Sequence, residues 1–225
     1  MSGFDCACAV ANHAAMTLDD DLLAMPAAIA ALLQAAKVEQ GAPTAPLDAA
    51  LAELERPPAP RDGAGPARKP ACRHLDRIWA LAADGPPHIS ALANALRRLD
   101  PRLEWIQNPN YTVENLGVHY IDNYAYSDVM SPRGLLYSDR VALGFLLLGP
   151  GLHYPDHAHE AEEIYWVMTP GSRWRRGDEA WQPRDPGSLI HHPPWTRHAT
   201  RSGGEPLLAF YLWRGALNAP ARLVD

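Results

Sequence analysis

The stretch Gly151-Leu152-His153-Tyr154-Pro155-Asp156-His157-Ala158-His159-Glu160-Ala161-Glu162-Glu163-Ile164-Tyr165 decides how the rest of the chain is read. In an extended strand, alternate side chains share a face. His157, His159, Glu163 and Tyr165 all have odd numbers, so an unbroken strand projects them to one side, with Val167 beyond. On the inner wall of a barrel they form a row of two imidazoles, a carboxylate and a phenol. Burying such groups is costly unless something pairs them. A divalent metal supplies that pairing, and two His with one carboxylate is a ligand set of non-haem iron and of many zinc sites. Tyr154 falls on the opposite face by simple alternation, although Pro155 can break the register.

A second stretch, Gly187-Ser188-Leu189-Ile190-His191-His192-Pro193-Pro194-Trp195-Thr196-Arg197-His198, offers a third imidazole. Its prolines force an extended bend, and His198 follows a turn. Six of the ten histidines fall between His153 and His198. A lone His-x-His is ordinarily a solvated pair on a strand. A glutamate, a tyrosine and a distant histidine at matching positions turn the balance toward a metal site.

Working outward, the period of two persists from about residue 103 to Trp213. Val118 to Val129, Val141 to Leu148, Glu162 to Met168, Gly187 to Ile190 and Pro206 to Trp213 read as strands, punctuated by turns such as Gly149-Pro150-Gly151 and Ser202-Gly203-Gly204. Arg173-Trp174-Arg175 and Ala180-Trp181-Gln182 read as hairpin arms about Arg176-Gly177-Asp178. Short strands at this spacing predict a mainly β fold, a sandwich or barrel of the jelly-roll type. Before residue 103, alanine and leucine dominate. Helices are expected from Thr17 to Val38, Asp48 to Leu54, Ala71 to Ala83 and Ile89 to Leu99, with a proline-rich loop over residues 57–70. The expected organisation is a helical region over residues 1–102, of which 1–16 are a candidate disordered tail, and a β-barrel over 103–225.

Composition narrows the function. Of 225 residues, 47% are apolar and 20% charged, which is globular rather than disordered. The net charge of −6 argues against nucleic acid or an anionic membrane as the main partner. Residues 1–100 hold nine Lys+Arg against twelve Asp+Glu, so their helices lack the basic face of a DNA reader. The uncharged stretch from Leu22 to Ala36 is too short to span a bilayer, and Asp19-Asp20-Asp21 precede it where a secretory signal carries positive charge. Three cysteines, Cys6, Cys8 and Cys72, read as reduced thiols in a cytoplasmic protein.

The two histidine segments resemble the cupin family. Its first pattern is Gly, five residues, His-x-His, three or four residues, Glu, six residues, Gly. Gly151, His157, His159 and Glu163 match, while Gly171 comes one residue late. In the second pattern Gly187, Pro193 and His198 match, but Trp195 replaces a glycine. The resemblance covers roughly residues 115–215 and implies a single cupin barrel with His157, His159, Glu163 and His198 as ligands. A narrower likeness carries further. Tyr154-Pro-x-His-x-His-x-x-x-Glu163-x-Tyr165, His191-His-Pro-Pro, Leu207-Leu-Ala-x-Tyr-Leu-Trp213 and Asn123-Tyr-Ala-Tyr-Ser-Asp128 look like the cupin-type dimethylsulfoniopropionate lyases of the DddQ and DddL kind.

That resemblance implies elimination from a sulfonium carboxylate, giving dimethyl sulfide and acrylate, with a barrel metal and two tyrosines. Tyr165, on the face of Glu163, is the expected base, and Tyr154 the assistant. Trp213 is implied as an aromatic face for the sulfonium, with Tyr124 and Tyr126 as further candidates. The ligand set accepts iron, manganese, zinc, nickel or cobalt, one divalent ion per chain. Two other readings stay open: a cupin oxygenase using iron and dioxygen, and a ligand-binding cupin without turnover. A homodimer through the helical segments is a candidate assembly.

Overall fold

The computed structural model describes residues 8–38, 42–56, 59–61 and 65–224, with side chains from residue 20 onward. Residues 1–7 of the expected tail, with Cys6, lie outside the described residues, as do 57, 58 and 62–64 of the proline-rich loop.

The helices come first. α1 (Cys8–Lys37) begins well before the expected Thr17 start. α2 (Thr44–Leu54), α3 (Leu75–Ala83) and α4 (Pro87–Leu99) follow. The apolar stripe read in α3 is its buried face: Leu75, Ile78, Trp79 and Ala82 are all covered. In α4 the same spacing buries Ile89, Leu92, Leu96 and Leu99. Each such side chain contributes roughly 1.5–3 kcal/mol relative to exposure. α1 packs on α2 and α4, and α2 touches the sheet below.

One expected strand is corrected. Val118 to Ile121 belong to a helix, α5 (Val113–Ile121), and the strand starts only at Tyr124. The Thr112 N–H donates to Asn115 Oδ1 at 2.8 Å, half of a capping box that opens a helix here despite the β-branched residues. Gly117, at φ 79, breaks the helix locally.

The strands are β1 (Tyr124–Ser131), β2 (Leu136–Tyr137), β3 (Val141–Leu148), β4 (His153–Ala158), β5 (Glu162–Val167), β6 (Ser172–Arg176), β7 (Gln182–Arg184), β8 (Leu189–His192), β9 (His198–Arg201), β10 (Leu207–Arg214) and β11 (Arg222–Leu223). They form a six-stranded sheet in the order β2-β1-β3-β10-β5-β8 and a five-stranded sheet in the order β11-β4-β9-β6-β7. The fold is the jelly-roll of cupin type, preceded by helices.

The six-stranded sheet is buried on both faces. Its outward residues, among them Val129, Phe145, Trp166, Phe210 and Leu212, share one core with α1 to α4. Its inward residues, including Tyr124, Leu146, Tyr165 and Tyr211, share a second core with Tyr154 and Trp174 of the five-stranded sheet. The strand Val-Ala-Leu-Gly-Phe-Leu-Leu-Leu of β3 has every residue buried, as a two-sided strand requires.

Candidate metal centre and its cavity

Three side chains converge between the sheets. The ligand atoms of His159, Glu163 and His198 all lie within 4.8 Å of one another, and all three residues are buried. β5 presents Glu163 inward, β9 begins at His198, and His159 sits just past the end of β4. His159 Nε2 is 3.0 Å and His198 Nε2 3.3 Å from the same Glu163 oxygen, Oε2.

The tautomers are set by the backbone. His159 Nδ1 meets the Ala161 carbonyl at 2.9 Å, and His198 Nδ1 meets the Thr196 carbonyl at 2.8 Å. A carbonyl only accepts, so each Nδ1 must carry its hydrogen and donate. Each Nε2 is left facing a carboxylate oxygen, which also only accepts. That arrangement needs a cation, either a proton or a metal. Without metal, burial opposes a charged His159, but Glu163 wins through its charge and hydrogen bond and raises the imidazole above its usual pKa. Burial likewise opposes the Glu163 carboxylate, and the His159 and His198 rings hold it well below the usual range. The donor set, two Nε2 and one carboxylate with backbone-fixed rings, fits a divalent transition metal.

His157, expected as a fourth ligand, lies outside this trio. It pairs with His198 in the β4–β9 register, with ring centroids 4.0 Å apart, and its centroid is 6.3 Å from that of His159. Its Nδ1 donates to the Pro155 carbonyl at 2.8 Å. Burial and then the neighbouring His198 push its pKa well below the ordinary value.

A cavity opens beside the cluster. Glu163, Tyr165, Tyr154, Trp213, Tyr124 and Tyr126 all line it. Simple alternation misplaced Tyr154. The β4–β9 register shifts between Tyr154 and His157, and this bulge at Pro155-Asp156 brings the even and odd residues to one face. Tyr154 stacks flat on His157, centroids 3.8 Å apart and planes 1° from parallel. Its hydroxyl is 2.9 Å from that of Tyr111. Burial pushes both Tyr154 and Tyr165 well above the ordinary phenol value, and the Glu163 charge adds to the shift at Tyr165. Trp213 is more than a cavity wall. Its indole N–H donates to Glu163 Oε1, and its ring lies 4.3 Å from that of His159.

Several neighbours were given no role in the sequence reading. His192 is buried, pairs with Glu163 across the β5–β8 ladder and stacks on His198 at 3.9 Å and 14°. Tyr211, Asp128 and Arg133 line the cavity. Parity alone could have found two of them, since Tyr211 shares the face of Trp213, and Asp128 that of Tyr124 and Tyr126.

The DMSP lyase family model, dimethylsulfoniopropionate lyase, matches residues 43–209, well over half of the chain. The chain belongs to the dimethylsulfoniopropionate lyase family. It is 33% identical over 159 residues to a putative dimethylsulfoniopropionate lyase, DddL, of Cereibacter sphaeroides, covering 69% of this chain and 65% of that one. It is 33% identical over 107 residues to the dimethylsulfoniopropionate lyase DddQ of Ruegeria pomeroyi, covering 48% of this chain and 53% of that one. These matches thus span under two thirds of each curated relative. Among solved structures, DddQ of Ruegeria pomeroyi superposes with a TM-score of 0.61 at 27% identity, over 78% of this chain and 87% of that chain. A chain from the crystal structures of the DMSP lyases RdDddP and RnDddQII shares the fold, with a TM-score of 0.74 at 21% identity over 92% of this chain and 100% of that chain. The family's fold thus includes helices as well as the two sheets. No described helix is long and apolar enough to cross a membrane.

Proposed function

We propose that this chain is a metal-dependent lyase that cleaves dimethylsulfoniopropionate to dimethyl sulfide and acrylate by β-elimination. The observation that carries the reading is the meeting of the His159–Glu163–His198 cluster with Tyr165 and Trp213 at one cavity, in a member of this family.

His159, Glu163 and His198 would hold one divalent ion, with His157 as a further candidate ligand. Such an ion would supply Lewis-acid stabilisation for charge building at the substrate carboxylate and would offset the negative charge of Glu163 beside the Tyr165 hydroxyl. Tyr165, ionised as its phenolate, takes the proton next to the carboxylate and becomes the neutral phenol. The C–S electron pair leaves with sulfur as neutral dimethyl sulfide, and the C=C bond of acrylate forms. Tyr154 assists, oriented by the Tyr111 hydroxyl and by its stacking on His157. Trp213, Tyr124 and Tyr126 present aromatic faces to the sulfonium, each worth about 0.5–2 kcal/mol. Buried phenols that hold their protons tightly are poor bases, so the cation is essential to this scheme.

The test is to incubate metal-loaded protein with dimethylsulfoniopropionate while following headspace dimethyl sulfide and oxygen uptake. Dimethyl sulfide without oxygen uptake is expected. Oxygen consumption would instead identify an oxygenase, and the absence of turnover a binding protein.

A further inference from the structure

Asp128 is a buried carboxylate on the cavity wall, on the same strand face as Tyr124 and Tyr126. Its Oδ2 accepts from the Ser131 hydroxyl at 2.9 Å and from the Arg133 guanidinium at a long 3.4 Å. Its Oδ1 accepts from the Tyr211 hydroxyl. Tyr211 reaches it by lying across β3 at Gly144, the register partner of both residues. A Cβ at Gly144 would lie 2.6 Å from Tyr211 Cζ, so only glycine leaves the path open. The charge of Asp128 is incompletely matched. Arg133 is its sole ion-pair partner among the described residues, and the Arg133 side chain is 50% exposed at the cavity edge.

A sulfonium carries positive charge but no N–H. It is recognised by aromatic faces and by negative charge, without hydrogen bonds. Asp128 fits that requirement, because Tyr211 and Ser131 already occupy much of its accepting capacity and fix its position while its charge remains. Aromatic rings alone were expected to receive the cation; here a carboxylate stands among them.

We propose that Asp128 is the specificity residue for the cationic end of the substrate, its charge facing the sulfonium beside Tyr126, with Arg133 as the competing partner within the chain. This rests on the sulfonium-carboxylate reading above. It orients the substrate, with its carboxylate toward Glu163 and its sulfonium toward Asp128. A sulfonium still charged while the proton is removed feels this attraction equally in bound substrate and in that transition state, and such uniform binding lowers KM without changing kcat. Asp128 therefore serves affinity rather than turnover.

The experiment uses two isosteric, non-sulfonium carboxylates, 3-(trimethylammonio)propanoate with a cationic tail and 4,4-dimethylpentanoate with an uncharged tail, bound to metal-loaded protein and followed by calorimetry. Wild type should prefer the cation by about tenfold or more. Asp128→Asn, nearly isosteric and still able to accept from Tyr211, should cut that preference to roughly threefold or less, chiefly by weakening the compound with the cationic tail. Its KM for dimethylsulfoniopropionate should rise about tenfold, with kcat within about threefold. Arg133→Ala removes the competitor and should widen the preference. An undiminished preference in Asp128→Asn overturns the assignment and leaves the lyase reading standing. Equal weakening of both compounds in Arg133→Ala also overturns it, because that end of the cavity then receives the anion. A wild type indifferent to charge overturns the sulfonium reading itself.

Discussion

The indole N–H of Trp213 donates to Oε1 of Glu163, its register partner across the β5–β10 ladder. The second oxygen, Oε2, faces His159 and His198. One carboxylate thus joins an aromatic cavity wall to the candidate metal-ligating cluster. Removing the indole donor while keeping an aromatic ring, as in Trp213→Phe, should weaken metal affinity by about 10–100-fold, the usual effect of losing a partner behind a ligand. Competition with a chromophoric chelator measures it. Unchanged metal affinity, with only KM altered, would confine Trp213 to substrate contact.

Alanine at His159, Glu163 or His198 should abolish bound metal as well as turnover, whereas His157→Ala should retain a measurable fraction of both. Elemental analysis of the purified variants reads this directly, and full occupancy in all three would refute the site. Wild-type affinity should also fall on acidification. The raised pKa of His159 means its Nε2 takes a proton as pH drops through that value, and the proton competes with the ion. Glu163, held well below the usual range, stays ionised and adds no such dependence.

Tyr165→Phe keeps the ring and removes only the hydroxyl. Metal content and fold should persist while turnover falls by about 10²–10⁴, the range of a lost acid–base group. Tyr154→Phe should cost less. Near-normal turnover in Tyr165→Phe would pass the role of base to Tyr154, which the bulge at Pro155 has already turned toward the cavity.

Gly144→Ala should destabilise the protein by about 1–3 kcal/mol, because the new methyl overlaps the Tyr211 ring and the Ser127 carbonyl with no room to retreat. Urea unfolding at equilibrium measures the loss. A stability equal to wild type would show that Tyr211 does not lie across β3 in solution.

The sequence showed several of the strands because strand periodicity is local. β3 occupies Val141–Leu148 as read, and β5 departs from its expected span only at the C-terminal end. It misjudged Val118–Ile121 because capping by Thr112 and Asn115 outweighed β-branched propensity, a contest that composition alone does not settle. The trio of His159, Glu163 and His198 was legible from spacing and resemblance. The place of Tyr154 was not, since parity presumes an unbroken ladder. Asp128 and Tyr211 lie 83 positions apart, and their meeting depends on a missing side chain at Gly144 between them, which no reading of either segment alone contains.

Along β10, Phe210 and Leu212 look toward the helices, while Tyr211 and Trp213 look into the cavity. The sheet is a partition one residue thick, with the cavity side papered onto the back of a structural wall. A methyl group added beneath α1 or α4 therefore presses on the same peptide plane that aims Tyr211 or Trp213. Randomising the helix-facing positions is a route to altered turnover that leaves every cavity residue in place. The same coupling makes this two-sheet unit a poor candidate for excision, because stripping off the helices would hand solvent the reverse side of the cavity wall.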